Sequence, residues 1–235
     1  TMGGEVSGTI DESIRHAVTK FSHIHFPASQ EAKERIIKLG EREEDVYLVG
    51  CPRIDLVANI LNDHSEGLAY SLEEGVGGEI NINKPFILVS QHPVTTEYGE
   101  GENQITMTLE AVRKTGLPAI VLWPNADAGS DDIARGMRKW REKGLDDHMH
   151  FYKNLPVAHY IHLMKKTSCL VGNSSSGIRE GAYIGTPVVN IGTRQEMRER
   201  GKNVEDVSYN GNEIFSALNQ QISNGSYVTE PIYGD

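Results

Sequence analysis

The sequence predicts an α/β fold built on a Rossmann-like, doubly wound parallel sheet. Three observations carry that expectation. From about residue 84 onward, short apolar runs alternate with segments of helical period. The runs, among them "FILV", "AIVL", "CLVG" and "VVNI", are continuous rather than alternating, as in strands buried on both faces. Four runs end in clusters of polar residues and glycine, at the edge where open parallel sheets bind ligands.

The elements follow in order. Thr9 to Lys20 reads as a helix: Thr9 and Glu12 have capping-box spacing, and Ile10, Ile14, Ala17 and Val18 form an apolar stripe. "HIHF" and "DVYLVG" are short strand candidates. Between them "SQEAKERIIKLG" is a helix stopped by Gly40. "RIDLVANILND" is a further helix, and residues 64–84 read as a loop or crossover. The regular series then begins with the strand "PFILVSQHP" and the helix "NQITMTLEAVRKTG". It continues with the strand "LPAIVLWPNADAGS" and the helix "DDIARGMRKWREK", then the strand "MHFYKNLP" and the helix "VAHYIHLMKKT". "SCLVGNSSSG" is a strand and loop, "IREGAYIG" a short helix, "PVVNIGTR" a strand and loop, and "GNEIFSALNQQIS" the last helix. Right-handed crossovers turn such a series into one doubly wound sheet.

Composition bounds the function. The net charge of −10 argues against broad binding of a phosphate backbone, so no nucleic-acid partner is expected. It leaves room for a small anion, which needs only a local cluster of donors. No apolar run approaches the ~20 residues that span a bilayer, so no membrane partner is expected either. The opening "TMGGEVSG" lacks a basic stretch followed by an apolar core and reads as no signal peptide. Cys51 and Cys169 form no disulfide framework or CxxC pair, and a cytoplasmic location is expected.

The four polar clusters are Gln91-His92-Pro93, the stretch Asn125 to Ser130, Asn173 to Gly177, and Gly192-Thr193-Arg194. One cluster would be ordinary turn chemistry; four on one edge outline a site. Ser174, Ser175 and Ser176 precede a helix, and one of them suffices as its cap. The surplus hydroxyls sit where free N–H groups and the helix dipole favour an anion such as a diphosphate. Neither GxGxxG nor GxxxxGK[ST] is present, which speaks against a dinucleotide or P-loop site. Glu180 can complement the dipole or accept hydrogen bonds from a ribose diol. Arg194 can be a surface residue or present its planar fork to phosphate. His92, between a buried strand and a proline, is a structural residue or a ligand-binding one. Asp11 and Arg15 lie four apart on one helix face, as a surface ion pair or with Asp11 as an acid–base group. His16, His23 and His25 match no zinc spacing, and no metal is expected.

"GGEVSGTIDESIRHAVTKFSHIHF", "QHPVTTE", "PNADAGS" and "GNSSSGIREGAYIGTPVVNIGTRQ" together resemble the hydrolysing UDP-N-acetylglucosamine 2-epimerases, closest to the branch of sialic and legionaminic acid synthesis. The resemblance covers nearly the whole chain in order and spacing. It implies two Rossmann-like domains with the site in the cleft between them, as in GT-B glycosyltransferases. On that basis residues 1–50 are the C-terminal part of a truncated first domain. Residues 51–83 are a connecting helix and loop, and 84–235 the UDP-binding domain. The substrate implied is UDP-N-acetylglucosamine or UDP-2,4-diacetamido-trideoxyglucose. UDP leaves through a 2-acetamidoglucal, and water gives the free 2-epimeric sugar. Ser174 and Ser175 would hold the diphosphate and Glu180 the ribose. Asn125 and Arg194 would line or adjoin the nucleotide pocket, and His92 would help the diphosphate leave. Asp11 and Arg15 would face the sugar. No cofactor is implied; a homodimer is. Taken as a truncated chain, it is expected to turn over slowly or not at all alone. A GT-B glycosyltransferase and a non-catalytic UDP-sugar-binding fragment are the alternatives.

Overall fold

A computed structural model describes residues 10–63 and 75–234; of Ile10 and Asp11 it gives the backbone alone. The helices are α1 (Ile10–Phe21), α2 (Gln30–Lys38), α3 (Pro52–Asn62), α4 (Gly101–Lys114), α5 (Ser130–Glu142), α6 (Val157–Lys166), α7 (Ser175–Ile184) and α8 (Gly211–Asn224). The strands are β1 (Val76–Gly77), β2 (Ile87–Ser90), β3 (Ala119–Leu122), β4 (Met149–Tyr152), β5 (Cys169–Gly172), β6 (Val188–Ile191) and β7 (Val204–Val207). Among the described residues they form one seven-stranded sheet in the order β1-β4-β3-β2-β5-β6-β7. β1 is antiparallel to β4, and every other pairing is parallel.

Chain order builds outward from β2 in both directions. β3 and β4 lie to one side, β5, β6 and β7 to the other. The topological switch point therefore falls between β2 and β5, where Ser90 pairs with Gly172. Alternate residues of β2 feed two cores. Ile87 and Val89 pack with α4, α5 and α8 residues, among them Leu109, Met137 and Leu218. Leu88 packs on the other face with Val57 of α3 and Ile161 and Met164 of α6. A strand buried on both faces needs an unbroken apolar run. Each such Ile, Leu or Val contributes on the order of 1.5–3 kcal/mol by leaving water.

Several sequence expectations are corrected. "HIHF" and "DVYLVG" are not strands: they meet in a single bridge, His25 to Val46, and residues 43–45 form a 3₁₀ turn. Ile24, Phe26, Tyr47 and Val49 stay exposed, so these apolar runs have no second face to bury. Conversely, β1 lies inside the expected loop, and β7 was not expected at all. β7 is the sheet edge, its side chains only half-buried or exposed, so "VEDV" carries no apolar run. The serine loop is also shorter than the sequence suggests. Ser174 is the N-cap of α7, and Ser175 and Ser176 already belong to its first turn. Thr9 lies outside the described residues, and with it the expected capping box; Glu12 instead pairs with His16 at 3.1 Å. Gly40 follows α2 as expected, with φ of 94°.

Candidate active site

The switch point is closed tightly. Gly172 has φ of 137°, and a Cβ there would run into the Ser90 carbonyl, so only glycine lets β5 end this close to β2. One residue further, the His92 N–H donates to Asn173 Oδ1 at 2.7 Å, and Asn173 Nδ2 donates to the His92 carbonyl at 2.8 Å. The other two polar clusters join the same pair. The Asn125 N–H donates to His92 Nδ1 at 3.3 Å. Arg194 Nη1 and Gln195 Nε2 donate to the Asn173 carbonyl at 3.2 and 3.0 Å. All four loops after β2, β3, β5 and β6 thus converge on His92 and Asn173.

The charge state of His92 follows from its surroundings. Burial, and after it the Arg194 guanidinium, lower its pKa from 6.5 to about 4. The ring is neutral at neutral pH. With Nδ1 accepting from Asn125, the proton sits on Nε2, 3.4 Å from Ser90 Oγ. His92 is therefore a hydrogen-bond donor at the cavity rather than an imidazolium acid.

α7 brings the next group. Its first turn lies close against the sheet: a Cβ at Gly177 would come within 2.9 Å of Leu170 and 3.0 Å of Val188. Ser174 Oγ lies 2.8 Å from Ser176 Oγ, which lies 2.5 Å from the Tyr160 hydroxyl. Burial raises the Tyr160 pKa, so the phenol remains protonated. Ser175 Oγ accepts from Arg179 Nη2 at 3.4 Å. Glu180 is 3% exposed at its side chain, and Arg53 Nε donates to its Oε1 at 3.1 Å. Its Oε2 is buried, 3.7 Å from Arg179 Nε, and accepts no hydrogen bond.

These groups line one cavity of about 500 Å³, a size suited to a drug-sized ligand. His92, Asn125, Ser174, Ser175 and Glu180 of the expected residues reach it. Arg194 does not line it; it stands behind His92, 3.6 Å from Asp127. Arg15 lies on α1, where its carbonyl accepts from Thr19 Oγ1 at 2.9 Å, and it does not line the cavity. The Asp11 side chain lies outside the described residues. The sequence reading missed Arg53, Lys153, Asn154, Tyr160 and Arg179, all on the cavity wall, and Ser176 of its three candidate hydroxyls reaches the wall too. Lys153-Asn154 carried a usable signal, because they end β4 at the same edge as the other clusters. The wall presents Arg53, Lys153 and Arg179 against the single carboxylate Glu180, which suits an anionic ligand. Among the described residues no three His, Cys, Asp or Glu side chains gather as metal ligands, and no helix is long and apolar enough to cross a membrane.

The sequence profile described as UDP-N-acetylglucosamine 2-epimerase matches residues 2–235. The chain belongs to the UDP-N-acetylglucosamine 2-epimerase family. It is 33% identical over 235 residues to the UDP-N,N'-diacetylbacillosamine 2-epimerase (hydrolyzing) of Legionella pneumophila, covering 99% of this chain and 59% of that one. It is 32% identical over 231 residues to the UDP-N-acetylglucosamine 2-epimerase of Neisseria meningitidis serogroup B, covering 98% and 58%. The chain thus spans less than two thirds of the length of these epimerases. A crystal structure of UDP-GlcNAc 2-epimerase from Neisseria meningitidis, bound to UDP-GlcNAc, superposes with a TM-score of 0.78 at 16% identity. The match covers 99% of this chain and 64% of that one. The fold is therefore that of the GT-B-like epimerases, as the sequence resemblance implied.

Proposed function

We propose that this epimerase-family chain carries the nucleotide half of a hydrolysing 2-epimerase site. In this reading residues 84–235 form the UDP-binding domain, 51–83 the connection to it, and 1–50 belong to the first domain. The observation that carries the reading is the buried Glu180 Oε2, without a hydrogen-bond partner, on the same cavity wall as the Ser174–Ser176 turn. A diphosphate at the α7 N-terminus and a ribose hydroxyl at Glu180 fill both needs at once. The names of the relatives, one acting on UDP-N-acetylglucosamine and one on a UDP-diacetamido sugar, support a UDP-sugar as ligand.

The chemistry then follows from what each side chain can do. The diphosphate leaves C1 of the sugar as a proton leaves C2, which gives UDP and a 2-acetamidoglucal. Water adds across the double bond to give the free 2-epimeric sugar. Ser174, Ser175 and the first N–H groups of α7 stabilise the departing diphosphate, where charge develops. His92 Nε2–H donates to it as a neutral group. Asp11 moves the proton, with Arg15 as its partner; Asn125 lines the nucleotide pocket, and Arg194 lies near it, behind His92. Every step uses acid–base chemistry and leaving-group stabilisation by side chains, in a cytoplasmic protein.

Proton NMR of UDP-N-acetylglucosamine incubated with stoichiometric protein in deuterated water tests the reaction. At most slow release of UDP and free N-acetylmannosamine, with deuterium at C2, is expected. Accumulation of UDP-N-acetylmannosamine, or release of N-acetylglucosamine without C2 exchange, would overturn the hydrolysing reading. A sugar nucleotide that binds and stays unchanged, without C2 exchange, would favour the binding-only alternative.

A further inference from the structure

Arg53 is out of place for its own helix. It occupies the first turn of α3, immediately after Pro52, where the helix dipole disfavours a cation. Its side chain is only 33% exposed and lines the nucleotide cavity. α3 is held there by packing that does not involve the guanidinium: Ile54 is buried against Ile178 and Tyr233, and the Cys51 N–H donates to the Tyr233 carbonyl at 2.7 Å. That packing sets the start of α3 beside α7, and Arg53 reaches Glu180 across 127 residues of sequence.

The geometry at Glu180 explains the placement. Two guanidiniums compete for this carboxylate, Arg53 at Oε1 and Arg179 near Oε2. Arg179 also donates to Ser175 Oγ. With Arg53 absent, Glu180 would be free to turn to Arg179, which would occupy Oε2 and draw Arg179 off Ser175. With Arg53 on Oε1, the buried Oε2 has only its 3.7 Å ion pair to Arg179 and accepts no hydrogen bond. We infer that Arg53 is a positioning residue for ribose recognition: it fixes Glu180 so that Oε2 accepts from one hydroxyl of the ribose diol. The inference rests on the proposed UDP site and adds to it a selectivity for ribose over deoxyribose.

The experiment is a calorimetric titration of wild type, Arg53→Met and Arg53→Lys with UDP, 2′-deoxy-UDP and 3′-deoxy-UDP, with thermal melts alongside. Wild type should bind UDP at least about tenfold more tightly than the weaker analogue, the size of a hydrogen bond to a charged group. Arg53→Met should bring that ratio to within about twofold, while Arg53→Lys recovers part of it. A ratio unchanged in Arg53→Met, or an equal loss for all three ligands, overturns the positioning role and leaves the UDP site standing. If Arg53→Met does not fold, a full wild-type ratio in Arg53→Lys with its fork removed likewise overturns it. Absence of UDP binding by wild type overturns the site itself, and the inference with it.

Discussion

His92 and Asn173 hold each other by two hydrogen bonds across the switch point, N–H to Oδ1 at 2.7 Å and Nδ2–H to carbonyl at 2.8 Å. The two residues are 81 positions apart in sequence, and they join the ends of β2 and β5 where the ligand cavity opens. Asn173 also offers its carbonyl to Arg194 and Gln195. One buried residue, through its side-chain amide and its backbone carbonyl, thus ties three of the four site loops together.

Asn173→Ala should therefore be a stability mutation as well as a binding one. It leaves the buried His92 N–H and carbonyl without partners. Each orphaned group costs about 1–3 kcal/mol, so unfolding free energy in urea should fall by about 2–6 kcal/mol. A loss below about 0.5 kcal/mol, the size of an ordinary surface change, would show that water replaces the amide.

His92 makes stability pH-dependent. Its folded pKa, about 4, lies below the unfolded value of 6.5 because of burial first and Arg194 second. Between those values the unfolded chain binds more protons, so stability rises with pH. The contribution is fully present above about 6.5 and lost as pH falls toward about 4, a change on the order of 3 kcal/mol. Urea unfolding of wild type and His92→Gln at about pH 7.5 and about pH 4.5 measures it: the variant should lose less stability on acidification. Equal losses would mean that His92 does not carry the linkage.

Gly172→Ala should open the switch point. A Cβ on this residue has nowhere to go but into the Ser90 carbonyl, and φ of 137° adds strain. A loss of about 1–3 kcal/mol is expected, as for overpacking, with UDP affinity falling in the same variant. Neutral behaviour in both would show that β2 and β5 can separate freely there.

Ser174→Ala and Glu180→Gln should weaken UDP by different routes. Ser174 is both N-cap and cavity wall, so its loss should cost about 1 kcal/mol of stability together with affinity. Glu180→Gln retains shape and can still accept at its carbonyl oxygen, so a drop in UDP affinity of about tenfold is expected. Wild-type affinity in both variants would remove the diphosphate and ribose from this wall.

Much of this was legible in the chain itself, for a physical reason. β2, β3, β5 and β6 are buried on both faces, so each had to be an apolar run, and the rule that ligands gather at strand ends pointed to His92, Asn125 and Ser174. What stayed hidden has reasons too. β1 is two residues long and β7 is a half-exposed edge, so neither needed an apolar run. Arg53 reaches the site only because Ile54 packs on Ile178, a tertiary contact without a local sequence mark. Tyr160 likewise enters from α6 through a bond to Ser176 that no spacing announces.

The most direct test of the whole account is calorimetric titration of the chain with UDP, with ADP as control. The account predicts one UDP per chain and at least about tenfold weaker ADP, a difference of about 1.4 kcal/mol. UDP that does not bind, or ADP that binds as well, would contradict the assignment of the His92, Ser174 and Glu180 cavity as a UDP site.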